Sequence, residues 1–286
     1  ILDLRELWQS ESLPSALGTE CFIPVKRVIS GARPVPCHNP EKLAALKKIL
    51  QSMFDRDIIG HSCSPFNSPA FLVPKKDPKS SSANDKWRLV NDLSAVYANT
   101  EDRCTEPSSI ESLISALASS CWFSSTDLTQ AFWQLSLDKA SRPATAFTIP
   151  PLPKFEFHRV PMGGKLSTTF MTTHMNRVLA GIEVSDCVWY IDDICIHSKH
   201  TADHHFEVVL KILRRLYKFG HTMNIKKCKF VQRSTLFIGY LIDKEGFLPN
   251  PNLAKGIQDL VPPFFIRTLQ QMLGKFQFQA KFIKDY

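Results

Sequence analysis

What the sequence lacks already narrows what the chain can be. No apolar run approaches the roughly 20 residues that a membrane-spanning helix needs, so no membrane partner is expected. No signal-peptide pattern opens it. None of its eight cysteines (21, 37, 63, 104, 121, 187, 195 and 228) forms a C-x-x-C pair. That argues against a zinc ribbon and for reduced thiols in an intracellular compartment. Internal repeats and long low-complexity tracts are missing too. The first residue is Ile rather than Met, and the expectation is a segment cut from a longer polypeptide.

What is present is an ordinary globular composition, 44% hydrophobic and 22% charged over 286 residues. That length holds one large domain or two smaller ones. Lys and Arg outnumber Asp and Glu by 35 to 27, a formal charge of +8. The excess is compatible with a polyanionic partner without establishing one.

One stretch stands out. "VWYIDDICIHS" (188–198) sets Asp192 and Asp193 side by side in an apolar run. The flanks, Val188 to Ile191 and Ile194 to Ile196, have strand character, so the pattern predicts a hairpin with both aspartates at its turn. That register sets Cys195 opposite Tyr190 and disfavours a Cys187–Cys195 disulfide. Asp-Asp suits a tight turn less well than Asn-Gly. Two carboxylates about 4 Å apart repel by roughly 4 kcal/mol at an effective dielectric near 20. A bridging cation reverses the sign. Asp127 ends another apolar strand, within "CWFSSTDLTQAFWQLSL", and if that strand lies beside the hairpin all three carboxylates meet at one sheet edge. Two-metal phosphoryl-transfer sites need such a set, and Mg²⁺ suits them because it takes few carboxylates and shares ligands with substrate phosphates. Singly, Asp127 reads equally as a turn residue or cap, whereas for Asp192 and Asp193 the apolar flanks make that reading the weaker one.

Elsewhere, "NPEKLAALKKILQSMF" reads as a helix capped by Asn39, and "SPAFLVPKKDPKSSSANDKWRLVNDL" as two strands joined by a polar loop. "SSIESLISALAS" and "KLSTTFMTTHMNRVLAGI" are helical patterns; "ATAFTI" and "KFEFHRV" are strands. "TADHHFEVVLKILRRLYKFG" is the clearest helix, with Phe206, Val209, Leu210, Leu213 and Leu216 as its apolar stripe and Gly220 as its stop. "TLFIGYLIDKEGFLPN" reads as a hairpin with Gly246 in its turn, and "TLQQMLGKFQFQAKFI" as a last helix. Interspersed helices and hairpins predict an α+β fold on an antiparallel sheet.

These residues carry a resemblance. "YIDD" (190–193) matches the Y-x-D-D motif of reverse transcriptases. "SPFNSPAFLVPKKD" with "KWRLVNDLSAVYANT" resembles their fingers segment, and "FSSTDLTQAFWQLSL" their first catalytic-aspartate segment. "FHRVPMGGKLSTTF" resembles their P-x-G loop and helix, "FIGYLIDKEGFLPNP" their primer-grip hairpin, and "LQQMLGKFQFQAKFI" the helix opening the thumb. The segments occur in family order from about residue 31 onward, closest in flavour to gypsy-type elements and retroviruses.

The resemblance implies a right-hand polymerase fold: an N-terminal extension (1–30), interleaved fingers and palm (31–250) and the start of a thumb (251–286). It implies that Asp127, Asp192 and Asp193, with the Leu128 carbonyl, hold two Mg²⁺ ions, Mn²⁺ being a substitute. Lys75, Lys76 and Arg88 would hold the incoming triphosphate, Phe132 would act as a steric gate against ribonucleotides, and Met162 would line the nucleotide pocket. Tyr190, Ile238, Gly239, Tyr240, Gly274, Lys275 and Phe278 would contact template and primer. By pattern alone Phe132 and Phe278 are packing residues, Tyr190 a strand aromatic and the lysines a solvated loop. The implied partners are an RNA or DNA template with primer, deoxynucleoside triphosphates, and RNase H and integrase regions of one polyprotein. The implied location is a cytoplasmic virus-like particle with a nuclear phase. Met162, Thr168 and Gln130 depart from the family pattern, which has Phe or Gln in many members, usually Pro, and often an acidic or small residue at those positions, respectively. The rival expectations are an RNA-dependent RNA polymerase and a catalytically inactive, domesticated nucleic-acid binder.

Overall fold

Asn39 starts the first helix as its side chain dictates, Oδ1 accepting from the Lys42 N–H at 3.0 Å with Pro40 in the first turn. The structure, a computed structural model, describes residues 15–28, 32–75, 86–101, 105, 108–251, 255 and 262–282. In chain order the helix α1 (Pro40–Asp55) is followed by β1 (Ile59–His61), β2 (Ala70–Pro74), β3 (Trp87–Asn91), α2 (Ser94–Ala98) and α3 (Ile110–Leu117). Next come β4 (Trp122–Asp127), a 3-10 turn (Ala131–Gln134), β5 (Phe147–Thr148), β6 (Lys154–Phe157) and α4 (Lys165–Val178). The chain continues with β7 (Cys187–Tyr190), β8 (Asp193–Ser198), α5 (Ala202–Lys218) and β9 (Lys229–Gln232). It closes with β10 (Ser234–Phe237), β11 (Tyr240–Asp243), β12 (Gly246–Pro249) and α6 (Ile266–Gln279). Two compact units interleave in sequence, one drawn from 1–107, 128–180 and 214–223, the other from 108–127, 181–213 and 224–286.

The first unit carries an antiparallel β1-β6-β5 sheet and a β2–β3 hairpin. Phe147 of the edge strand β5 is fully buried, its ring against Phe155 and Phe157 of the central strand β6. Its core also holds a polar chain. The Gln134 Oε1 accepts from His221 Nδ1–H at 2.9 Å and from the Thr222 N–H at 3.1 Å, which leaves His221 Nε2 to accept from His174 Nε2–H at 2.8 Å. Burial drives both rings to the neutral form, His174 to about 4 and His221 to about 3.

The second unit is built on an antiparallel sheet in the order β7-β8-β4-β9 and a β10-β11-β12 meander. Leu113, Ile114 and Leu117 of α3 close a core with Phe123, Val188, Cys195, Phe237, Tyr240 and Ile242. Three expectations need correction. The β7–β8 turn is Ile191–Asp192 rather than the aspartate pair, because Asp193 joins the sheet as the first residue of β8. Cys195 therefore faces Val188 and Cys187 faces Ile196, and both thiols are buried and free. The 235–250 segment makes two reversals. Ile238 and Gly239, with φ of 49° and 82°, form the first, as a type I′ turn requires. The second falls at Lys244–Glu245, because the Asp243 carboxylate accepts from the Glu245 and Gly246 N–H groups, and Gly246 opens β12.

The stripe on α5 is also rotated. Phe206 is exposed, while His205 is fully buried beside Val208, Val209, Ile212, Leu213 and Leu216. A polar side chain takes the inward position because the strands offer it partners: Ser124 Oγ lies 2.8 Å from His205 Nε2 and Ser198 Oγ 3.2 Å from Nδ1. His197 is likewise buried, its Nε2–H donating to Val184 O at 2.9 Å while Nδ1 accepts from Ser120 Oγ–H at 2.8 Å.

Burial lowers the His205 pKa to about 4 and that of His197 below its usual value. A histidine depressed in the folded state contributes stability that is complete above its unfolded pKa near 6.5 and lost as pH falls toward the folded value. The loss is at most about 1.4 kcal/mol per pH unit for each ring. The denaturant midpoint should therefore fall steadily between about pH 6.5 and pH 4, and His205→Gln should flatten the slope. A midpoint constant over that range would contradict neutral buried rings.

Candidate active site

Antiparallel pairing from Trp122↔Ser198 to Asp127↔Asp193 fixes the last residue of β4 opposite the first of β8. Asp192 precedes Asp193 in the turn, so all three carboxylates stand at one end of one sheet. The turn is strained, since Ile191 holds φ at 60°, a region costly to a β-branched side chain. Paired strands on either side of it hold that conformation in place.

Like charges directly opposite on neighbouring strands destabilise a sheet. Loss of solvent and then the neighbouring carboxylates push the Asp193 carboxyl above the usual range; burial and Asp127 do the same to Asp192, against Lys227. Asp193 is nevertheless exposed by surface area, so solvent screens part of this repulsion. Asp127 is held from three sides by the turn 224–228. Its carboxylate accepts from Lys227 Nζ at 3.0 and 3.2 Å, its carbonyl from the Asn224 N–H at 2.8 Å, and its own N–H points at Cys228 Sγ, 3.4 Å away. Asn224, Lys227 and Cys228 escaped the sequence analysis. They lie about a hundred residues downstream, and only the β4–β9 pairing of Ser125 with Lys229 brings them in.

Among the described residues no three His, Cys, Asp or Glu side chains form a ready-made metal cage. The donor set still fits a hard divalent cation. It is all carboxylate oxygen, two of the three groups are held at unfavourable potential, and Lys227 already sets a positive charge on the third. Mg²⁺ completes its shell with water and substrate phosphates rather than a full protein cage.

The other candidate residues are distributed as follows. In the first unit, Lys75 and Arg88 are exposed on the β2–β3 hairpin, Phe132 is half-buried in the 3-10 turn, and Met162 is exposed in the loop before α4. Leu128 is buried and bridges Met223. In the second unit, Tyr190 and Ile238 lean on the core, and Gly239 shapes the β10–β11 turn. Tyr240 is buried against Phe247 and Phe282, so only its backbone is available to a ligand. Gly274 and Lys275 lie on an exposed face of α6. Lys76 and the side chain of Phe278 fall outside the described residues. A cavity of about 590 Å³ in the first unit, between Gly18–Pro24 and the Leu166–Arg177 face of α4, holds none of them.

Residues 73–242 match the family described as reverse transcriptase (RNA-dependent DNA polymerase). The chain belongs to that family. It is 29% identical over 241 residues to the retrovirus-related Pol polyprotein from transposon opus of Drosophila melanogaster, covering 84% of this chain and 24% of that one. To the Pol polyprotein from transposon gypsy of the same fly it is 30% identical, covering 80% and 22%. The reverse transcriptase segment thus spans about a quarter of the curated relatives it matches. Its fold is that of a foamy viral protease-reverse transcriptase solved in complex with double-stranded DNA. The TM-score is 0.84 at 23% identity, over 97% of this chain and 48% of that one. The α+β, right-hand polymerase architecture expected from the sequence is the one found.

With no cation bound, the carboxylate cluster weakens this reverse transcriptase fold. Asp192→Asn or Asp193→Asn, in a chelator, should raise the unfolding free energy by about 0.5–1 kcal/mol, as relief of one like-charge contact. A fall in melting temperature for both variants would show that the cluster is not under electrostatic strain.

Proposed function

We propose that this chain is the fingers, palm and first part of the thumb of an RNA- and DNA-directed DNA polymerase within a retroelement Pol polyprotein. The observation that carries the reading is the meeting of Asp127, Asp192 and Asp193 at one end of the β7-β8-β4 sheet. In this reading the extension is 1–30, fingers and palm share 31–250, and the thumb begins at 251.

The reaction is attack of a primer 3′-OH on the α-phosphate of a deoxynucleoside triphosphate, releasing pyrophosphate. The three aspartates, joined by the Leu128 carbonyl, hold two Mg²⁺ ions. When bound, these lower the pKa of the attacking hydroxyl and offset charge on the leaving group. The rest falls to the chain's own residues. Lys75, Lys76 and Arg88 carry fixed positive charge for the triphosphate, Arg88 with a fork able to bind two oxygens at once. Phe132 excludes a 2′-OH by occupying its space. Met162 lines the pocket, and Tyr190, Ile238, Gly239 and the Tyr240 backbone lie along the primer end. Gly274, Lys275 and Phe278 follow the duplex. Template, primer and triphosphates are the substrates, RNase H and integrase the covalent neighbours, and a cytoplasmic virus-like particle with a nuclear phase the setting.

Primer extension on an RNA template, with and without Asp192→Asn, tests the reading. Extension by the chain and none by the variant is expected; equal extension by both overturns the metal-site assignment. Binding of template–primer without extension by either would favour an inactive nucleic-acid binder. Phe132→Val should admit ribonucleotides, and unchanged sugar selectivity would remove Phe132 from the gate. Binding should weaken steeply with salt, as phosphate contacts require.

A further inference from the structure

Gly164 has no room for a side chain, because a Cβ built on it falls within the Tyr97 ring, at Cε2, Cζ and Oη. The aromatic ring of α2 therefore lies directly on the backbone of the loop 161–164, a contact open only to glycine. The hydroxyl makes a second tie. Ser167 Oγ, almost fully buried, spends its one proton on Pro161 O at 2.7 Å, so at 3.3 Å from the Tyr97 oxygen it accepts the phenol proton. Burial pushes that phenol's pKa up, which keeps it a donor. The relay Tyr97 O–H to Ser167 O–H to Pro161 C=O thus joins α2 to the first residue of the loop and to the first turn of α4. Between the two anchors, Gly163 sits at φ 95° in open space, and the Met162 side chain is exposed. On its α4 side the helix cap, Gly164, offers the loop no side-chain hydrogen bond, and before the loop Val160 is held by its N–H to Leu135 O at 2.9 Å.

We propose that Tyr97 is a positioning residue for the nucleotide pocket, fixing the 161–164 loop so that Met162 meets the incoming triphosphate; this rests on the polymerase reading above. Tyr97 touches no reacting atom. Its effect is on nucleotide binding rather than on the chemical step or on duplex binding.

Steady-state primer extension by the full chain, with KM for the nucleotide and for template–primer measured separately, tests it. Tyr97→Ala should raise the nucleotide KM roughly tenfold, with the template–primer KM unchanged, and Tyr97→Phe by about threefold to fivefold, as loss of one hydrogen bond. Gly164→Leu alone should be nearly inactive. The double variant Tyr97→Ala/Gly164→Leu, which refills the same space from the other side, should recover most of the nucleotide affinity. An unchanged nucleotide KM in Tyr97→Phe and Tyr97→Ala overturns the proposal, as does a double variant no better than either single one. If thermal melting shows Tyr97→Ala unfolded, Tyr97→Phe decides alone. No extension by the unsubstituted chain would instead defeat the polymerase reading, and the inference with it.

Discussion

The pairing of Asp127 with Asp193 across neighbouring strands is the constraint that the second unit is built to satisfy. Two carboxylates facing each other, with a third in the adjoining turn, oppose the fold at neutral pH. So does Ile191 at positive φ. The surroundings hold them there nonetheless. The sheet is paired on both sides of β4 and β8, α3 packs an apolar core against it, and the 224–228 turn grips Asp127 through its N–H, its carbonyl and its carboxylate. Strain concentrated in one cluster of charged groups, and offset elsewhere, is the pattern expected of a functional site.

Strand alternation explains how the sheet serves both demands. Phe123, Ser125 and Asp127 share one face of β4, with Cys195 and Asp193 their neighbours across β8; Ser124 and Ser198 share the other. The first face runs from the apolar core at Phe123 to the carboxylates at its end. The second receives His205, which bonds Ser124 and Ser198 together, while Ser124 also accepts from the Val231 N–H at 3.0 Å. One imidazole thereby ties helix α5 to β4 and β8, and its serine partner ties in β9. A fully bonded polar group specifies register where an apolar stripe would tolerate rotation.

That helix also shows where the sequence stops being legible. Local pattern located α1, the β2–β3 hairpin, α3, α4 and α6, and the convergence of three aspartates followed from two apolar strands that each end in acid. Patterning fails where a distant partner decides. His205 and Phe206 compete for one inward position, and hydrophobicity alone picks Phe206; the serines that reverse the choice lie 81 and 7 residues away. The aspartate turn shifted by a residue because β4 recruits Asp193 into the sheet, which the hairpin's own composition does not encode. Lys227 reaches Asp127 across 100 residues. The Asp243 turn was closer to hand, since an aspartate two and three residues before its donors is a local signal that Gly246 obscured.

Two of the three departures from the family pattern, Met162 and Thr168, fall in the loop and helix start at 161–168; the third, Gln130, stands at φ 51° before the 131–134 turn. Thr168, standing where the pattern often has Pro, has an N–H, and it bonds to the Gly164 carbonyl at 3.3 Å. Proline there would forfeit that bond. The helix therefore begins as early as Lys165, right after a glycine that supplies no cap of its own. A glycine before a helix is a loose hinge unless something fills the space its missing side chain leaves, and Tyr97 fills it. The Tyr97 ring of α2 thus packs where a side chain at 164 would otherwise sit.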